Sequence, residues 1–150
     1  VGEEATSLTL YLELEKMRFS EGFDYSIEIK TKTHKDNIEL PPMLIQPYVE
    51  NAVKHGLLHK EFDKNLLVIF EEKDNHLIVT IDDNGIGRKR SLELNKIKNE
   101  KYQSFSTQAN EKRLEILNRN NDKIALKIID KKNQNDVSTG TKVILTIPIN

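Results

Sequence analysis

Two strand-like segments joined by a short polar turn are the clearest structural signal in this sequence. Leu66 to Glu72 and His76 to Asp82 are apolar-rich runs of strand length, and the polar tripeptide Lys73-Asp74-Asn75 separates them. Segments of this length on either side of so short a turn predict an antiparallel β-hairpin. We therefore expect a β-sheet in this chain.

Three further segments add strands to that sheet. Ile124 to Asp130 and Lys142 to Ile149 predict a second hairpin across the turn-rich residues 131–140. From Phe23 to Lys30 apolar and polar residues alternate, which is the period of a half-buried strand. The short run Ile38-Glu39-Leu40 is a possible extra strand. The sheet is then expected to have about five strands.

Helical spacing of apolar residues predicts about three helices. The first covers Thr6 to Phe19, and the second opens at Pro41-Pro42, because proline is tolerated where the first amides have no partner. A polar helix-like segment then runs from Arg88 to about Glu100. After a loop over 101–106, a third helix covers Thr107 to Asn118. The fold class is therefore α+β: a two-layer sandwich of a mixed or antiparallel sheet with helices on one face.

Composition excludes several classes of protein. The 150 residues suit one domain with one core, and 37% hydrophobic with 31% charged residues suits a soluble two-layer domain. No apolar run approaches the roughly 18 residues of a spanning helix. The absence of cysteine excludes disulfides, thiolate metal sites and a cysteine nucleophile. A net charge of −1 gives no basic face for nucleic acid.

The first candidate site is one turn of the second helix. Asn51, Lys54 and His55 lie three or four residues apart and share a face, and Glu50 lies beside it. Mg²⁺ prefers oxygen ligands, so an Asn or Glu oxygen together with phosphates can hold it, while Lys54 and His55 neutralise phosphate oxygens. The alternative is a solvated helix face with an ordinary Glu–Lys pair, and this segment alone leaves both open.

The second candidate site is the loop Asp83-Asn84-Gly85-Ile86-Gly87, directly after a predicted strand. Gly85 and Gly87 allow positive φ and a close approach of the backbone to a ligand. Asp83 can accept a hydrogen bond from a donor such as the exocyclic amine of adenine. An ordinary Asn-Gly turn is the alternative. The loop is not a Walker loop, because no Gly-Lys-Ser or Gly-Lys-Thr follows the glycines.

Two weaker candidates lie later in the chain. Thr141 follows Gly140 at the start of the last predicted strand, where its hydroxyl would complete an adenine network or where threonine is simply a good strand former. Arg113 lies on the last predicted helix, either as a phosphate ligand or as an ordinary surface ion-pair partner.

The order of these elements resembles the ATP-binding domain of histidine kinases, the Bergerat-type fold shared with gyrase B, MutL and the large heat-shock chaperone ATPases. The segment from Leu40 to Gly56, LPPMLIQPYVENAVKHG, looks like the N box of the LytS/YehU-type sensor kinases. Tyr11 to Phe19 is similar to the end of their dimerisation and phosphoacceptor region. The resemblance implies that residues 1–20 end that helical region and that residues 21–150 form the ATP-binding domain.

The resemblance also implies roles for the candidate residues, with ATP and Mg²⁺ as cofactors. Asn51 would ligate Mg²⁺, and Glu50 would act as a base or position water. Lys54 and His55 would lie near the phosphates. Asp83 and Thr141 would hold adenine, and Gly85 and Gly87 would shape the first glycine box. Residues 88–106 would form a lid over the nucleotide.

Two departures from the family pattern stand out. The second glycine box keeps a Ser and an Arg-Leu frame over Ser104 to Leu114 but has no glycine, which puts its phosphate contacts in doubt. No histidine occupies the phosphoacceptor context, so the acceptor is expected upstream of residue 1. The other expected partners are a response regulator and a second subunit in a homodimer, and the expected location is the cytoplasmic part of a membrane-anchored bacterial sensor.

Two other functions stay open at this stage. The chain could be an anti-sigma-factor-type serine kinase or another ATPase of the same fold, although the segment Tyr11 to Phe19 argues against it. It could also be a degenerate module that is kept for dimer geometry, which the glycine-free second box favours.

Overall fold

The computed structural model describes residues 1–19, 22–61, 63–90, 93, 102–119 and 123–149. Its helices and strands run in this order: α1 (Gly2–Phe19), β1 (Phe23–Lys30), a short 3-10 helix (Lys35–Asn37), α2 (Gln46–Asn51) with a π-helical continuation (Ala52–Leu57), β2 (Lys64–Lys73), β3 (His76–Asp83), α3 (Tyr102–Arg119), β4 (Ala125–Lys132) and β5 (Ser138–Pro148).

The five strands form one mixed sheet in the order β1-β2-β3-β5-β4. Strand β1 is parallel to β2, and all other neighbours are antiparallel. Both predicted hairpins are confirmed, as β2–β3 and β4–β5. In the central pair, Asp83 at the end of β3 lies opposite Thr141 near the start of β5. The predicted α+β class with a five-stranded mixed sheet is confirmed.

The core lies between the sheet and the helices. Alternate residues of the central strands are buried on one face, as the period of two requires. Leu8 and Leu12 of α1 and Val49 and Val53 of the second helix belong to the same core as Phe70 of β2. Each such side chain contributes roughly 1.5–3 kcal/mol on complete burial. The core therefore fixes the second helix against the strand ends that carry the candidate loop.

The start of the second helix differs from the prediction. The helix begins at Gln46, not at Pro41-Pro42, and Met43 has a φ of 58°, in the left-handed region. Residues that precede proline avoid the helical region, and a left-handed residue interrupts a helix, so the chain becomes helical only beyond Met43. Residues 38–40 form no strand, although Ile38 is buried in the core.

Helix α3 also differs from the prediction. It begins at Tyr102, so the loop expected over 102–106 is helical. The prediction relied on apolar spacing, but residues 102–106 contain no glycine or proline to stop a helix. Ala109, expected to face inward, is exposed, whereas Leu114 and Leu117 are half-buried against the core. The predicted lid, residues 88–106, lies mostly outside the described side chains.

Candidate functional site

Asp83 is a buried carboxylate at the carboxyl end of a central strand. Only 4% of its surface is exposed. Its Oδ1 accepts a hydrogen bond from the backbone amide of Gly85 at 2.8 Å, which closes the loop that follows β3. Burial raises the pKa of Asp83 to about 6, and the backbone amides of Gly85 and Thr141 oppose that rise. The fold therefore disfavours the ionised form of this carboxyl group, and a pKa shifted in this way is typical of functional sites.

The end of the second helix lies directly against this carboxylate. A Cβ placed on Gly56 would come within 2.9 Å of Asp83 Oδ1, and a Cβ on Gly85 would come within 2.4 Å of the Gly56 carbonyl carbon. The amide of Ile86 donates to the Gly56 carbonyl at 3.1 Å. The two candidate elements of the sequence thus meet at a glycine–glycine contact that leaves no room for a side chain.

The two glycines of the loop have different roles, unlike the shared role that the sequence suggested. Gly87 has a φ of 85°, whereas the φ of Gly85 is not positive. Gly85 is needed for the close approach of the loop to Gly56, and Gly87 for its backbone conformation. Thr141 is 9% exposed and lies opposite Asp83 in the β3–β5 pair, and its predicted adenine contact remains a prediction.

The polar residues of the second helix occupy its last turns. Asn51 ends α2, and Lys54 and His55 lie in the π-helical continuation, a wider turn that is frequent at functional sites. Lys54 is exposed, and Asn51 and His55 are half-buried. One oxygen of Glu50 accepts from Gln46 Nε2 at 3.2 Å. These residues precede Gly56 directly, so they lie on the element that contacts Asp83.

Arg113 lies away from Asp83. Its guanidinium donates to the backbone carbonyl of Pro42, and with Tyr48 and Asn110 it lines a small pocket between the second helix and α3. Its predicted phosphate contact remains a prediction. A cavity of about 350 Å³ also opens near Asn84, but Asp83 alone of the predicted site residues lines it.

Two polar contacts near the site have no strong sequence signal. Lys60 Nζ donates to the carbonyl of Asn84 at 2.9 Å. The Asn84 side chain accepts from the Asn65 amide and donates to the Asp63 carbonyl, each at 2.7 Å. The sequence pattern indicates Asn84 only as a turn residue, yet its side chain fixes the loop to the start of β2. Nothing in the pattern around Lys60 indicates its role.

Beyond the loop, an ion pair fixes the next residues to the sheet edge. Arg88 Nε and Nη2 bind the two oxygens of Asp130 on β4 at 2.8 and 2.6 Å. This paired geometry is specific to arginine with a carboxylate. It lowers the pKa of Asp130, and it gives the segment after Gly87 a fixed starting point.

Sequence comparisons point to sensor proteins. The chain is 33% identical over 87 residues to the sensor protein LytS of Staphylococcus haemolyticus, which is 58% of this chain and 15% of that protein. It is 33% identical over 86 residues to the sensor histidine kinase/phosphatase LytS of Staphylococcus aureus, covering 57% of this chain and 14% of that protein. The chain thus spans about 15% of the length of these relatives. No protein-family model matches it.

Structural comparisons give the same result for the fold. The catalytic domain of histidine kinase ThkA superposes with a TM-score of 0.62 at 14% identity, covering 99% of this chain and 92% of that domain. The mycobacterial sensor histidine kinase MprB has a TM-score of 0.59 at 14% identity, covering 97% and 93%. None of the helices in the described part of the chain has the length and hydropathy to cross a bilayer. The predicted resemblance to LytS-type sensor kinases is confirmed, and the chain has the same fold as these histidine kinase catalytic domains.

Proposed function

We propose that this domain binds Mg-ATP and presents its γ-phosphoryl group to a histidine outside these 150 residues, as the catalytic domain of a two-component sensor histidine kinase. The observation that carries the proposal is the buried Asp83 carboxylate, which lies against the end of the N-box helix at Gly56. In phosphoryl transfer the protein contributes mainly position and charge neutralisation. A domain with those features and no nucleophile of its own suits that role.

Asp83 is suited to bind adenine. Its carboxylate can accept a hydrogen bond from the exocyclic amine, and the amide of Gly85 already orients one of its oxygens. Thr141 lies opposite Asp83 in the strand pair, and its hydroxyl would support the adenine contact. A donor that pairs with a buried carboxylate also offsets the cost of burying it. Adenine recognition therefore gives a reason for keeping a carboxylate here.

The phosphates would lie along the exposed side of the N-box helix. Asn51 would hold Mg²⁺ through its amide oxygen, because Mg²⁺ takes few protein ligands and relies on phosphates and water for the rest. When bound, the ion supplies positive charge next to the transferred group. Lys54 and His55 would lie near the phosphates on the same turn. Glu50 would act as a base toward the acceptor or position water.

The remaining partners follow from this role. ThkA has been described in complex with the response regulator protein TrrA, and we propose that the protein containing this domain passes its phosphoryl group to a response regulator. We also propose that it acts as a homodimer and that this domain is the cytoplasmic part of a membrane-anchored bacterial sensor. Residues 1–20 would join the domain to the helices that carry the acceptor histidine.

Nucleotide titration with the Asn51→Ala variant tests the proposal. For the unchanged domain we expect ATP to bind more tightly with Mg²⁺ than with EDTA. In the variant we expect the affinity for ATP with Mg²⁺ to fall by about tenfold or more, because the ion loses its protein ligand. The affinity for ATP in EDTA should stay the same. Asn37→Ala, at an exposed asparagine of the 3-10 helix, is the matched control. Failure of the unchanged domain to bind ATP with Mg²⁺ would sink the proposal.

The raised pKa of Asp83 predicts how affinity depends on pH. The carboxyl group has a pKa of about 6, so it is ionised at pH 7.5 and largely protonated at pH 5. Because a bound donor favours the ionised form, ATP affinity should be constant above neutral pH and fall by up to about tenfold per unit below pH 6. Calorimetric titration between pH 5 and 8 measures this. In Asp83→Asn the slope should disappear, and a slope that survives would assign the effect to another group.

A further inference from the structure

The peptide group between Asn84 and Gly85 is hydrogen-bonded at both of its ends. Its carbonyl oxygen, which belongs to Asn84, accepts from Lys60 Nζ at 2.9 Å. Its amide, which belongs to Gly85, donates to Asp83 Oδ1 at 2.8 Å. A peptide group is planar, so its carbonyl and its amide turn together and neither is reoriented alone. A cation on one side of this peptide group is therefore linked to the buried carboxylate on the other side.

The cation comes from the end of the second helix. Leu57 is the last residue of the π-helical continuation, and its carbonyl accepts from the Lys60 amide at 3.0 Å. This turn brings the half-buried Lys60 side chain to the loop. The Gly56 carbonyl accepts from the amide of Ile86 at 3.1 Å, so the helix end holds the loop at a second point as well.

The other side of the loop is fixed to the start of β2 by neutral groups. The Asn84 side chain binds the Asn65 amide and the Asp63 carbonyl, each at 2.7 Å, and the Asn84 amide donates to the Asn65 carbonyl at 3.2 Å. Lys60 differs from these partners because it is charged. Hydrogen bonds from a charged donor are about twice as strong as neutral ones, and such a donor polarises the peptide group that it binds.

We propose that Lys60 is a positioning residue for adenine recognition: its ammonium group holds the Asn84–Gly85 peptide group so that the Gly85 amide orients and stabilises the Asp83 carboxylate. This role rests on the proposed function, in which that carboxylate accepts a hydrogen bond from adenine. Lys60 itself needs no contact with the nucleotide. One helix would then carry Asn51 for the metal and, through the residues at its end, set the acceptor for the base.

The pKa of Asp83 reports on this arrangement. Burial raises that pKa, and the hydrogen bond from the Gly85 amide is the strongest influence that lowers it. A carboxylate that loses a donor is less favoured in its ionised form, so weakening this hydrogen bond raises the pKa further. The charge of Lys131 on β4 also lowers the pKa of Asp83 and that of Asp82 on β3 raises it, and neither changes when Lys60 is replaced.

The Lys60→Met variant tests this role through an NMR titration of the Asp83 carboxyl carbon in the chain without nucleotide. Methionine keeps much of the length of lysine and removes the ammonium group. We expect the pKa of Asp83 to rise by about half a pH unit or more in Lys60→Met and to stay near its original value in Lys60→Arg. Observing the carboxyl carbon itself keeps the result separate from His55, because histidine titrates in the same pH range.

Lys73→Met is the matched control. Lys73 is an exposed lysine at the opposite end of the β2–β3 pair from Asp83, so its replacement removes the same charge from the chain without touching the loop. The pKa of Asp83 should be unchanged in this variant. Equal pKa values of Asp83 in Lys60→Met and Lys73→Met would overturn the proposal, even if ATP affinity fell in Lys60→Met, because Lys60 would then act on the fold alone.

ATP titration of the same variants connects Lys60 to nucleotide binding. At pH 7.5 we expect Lys60→Met to bind ATP about tenfold more weakly than the unchanged chain, with normal binding in Lys73→Met. A raised pKa of Asp83 together with unchanged ATP affinity would also overturn the proposal. Absent ATP binding in the unchanged chain would reject the proposed function, whereas normal binding there with no effect of Lys60→Met on pKa or affinity would reject only the role of Lys60.

Discussion

Replacement of Asp83 by asparagine is expected to remove most ATP binding while making the folded domain more stable at neutral pH. The lost charge-assisted hydrogen bond to adenine should weaken binding by about a hundredfold. Stability should change the other way, because the folded-state pKa of about 6 lies above the ordinary value of 3.8. The favourable contribution of this group is complete below about pH 4 and is lost as pH rises through 6, so the ionised carboxylate destabilises the fold at pH 7 by roughly 3 kcal/mol.

The neighbouring Asp82→Asn variant is the control for this prediction. The Asp82 carboxylate lies on the other face of β3 and forms an ion pair with Lys131. Its removal should leave ATP affinity unchanged and lower stability by about 1 kcal/mol. Chemical denaturation at pH 7 and ATP titration give both quantities. An Asp83→Asn domain that is less stable than the unchanged one, or that binds ATP normally, would contradict the assignment of Asp83.

The Gly85→Ala variant is expected to lose both stability and the nucleotide site. The new Cβ would lie 2.4–2.5 Å from the carbon, Cα and oxygen of the Gly56 backbone, and backbone cannot rotate out of the way. The loop must then separate from the helix end, which should cost about 3 kcal/mol or more. Thermal unfolding and ATP titration should both show the loss.

Gly87→Ala is the matched variant from the same loop. Its Cβ would meet the Ser138 side chain, which can rotate, so the main cost is the φ of 85°, about 1–2 kcal/mol. We therefore expect Gly87→Ala to be clearly milder than Gly85→Ala. Equal losses in the two variants would show that backbone conformation, rather than the contact with Gly56, sets the requirement for glycine in this loop.

The sequence predicted the architecture because the information for it is local. The hairpin predicted over Leu66 to Asp82 and the alternation from Phe23 to Lys30 are patterns of short segments, and both are confirmed as strands. The errors occurred where local rules compete. Pro41-Pro42 favours a helix start, but the left-handed Met43 delays the helix until Gln46, and that conformation depends on how the segment packs.

The candidate site was only partly predictable for a related reason. Asp83 and Thr141 each lie beside a strand boundary that the sequence indicates, and the structure places them opposite each other. The contact between Gly56 and Gly85 depends on the angle at which a helix meets a strand end, which no spacing along the chain specifies. The sequence gives no signal for Lys60, because a lysine that binds a distant carbonyl looks the same in sequence as any surface lysine.

One carboxylate joins three distant parts of the chain, and this has a consequence in living cells. The helix end at Gly56, the loop at Asp83 and the last strand at Thr141 meet only when the whole sheet has assembled, and contacts between distant segments form late in folding. A nucleotide that binds only the assembled arrangement shifts the chain toward it by mass action. In the proposed function ATP is that nucleotide, so depletion of ATP should expose the domain to proteases and lower its amount in the cell.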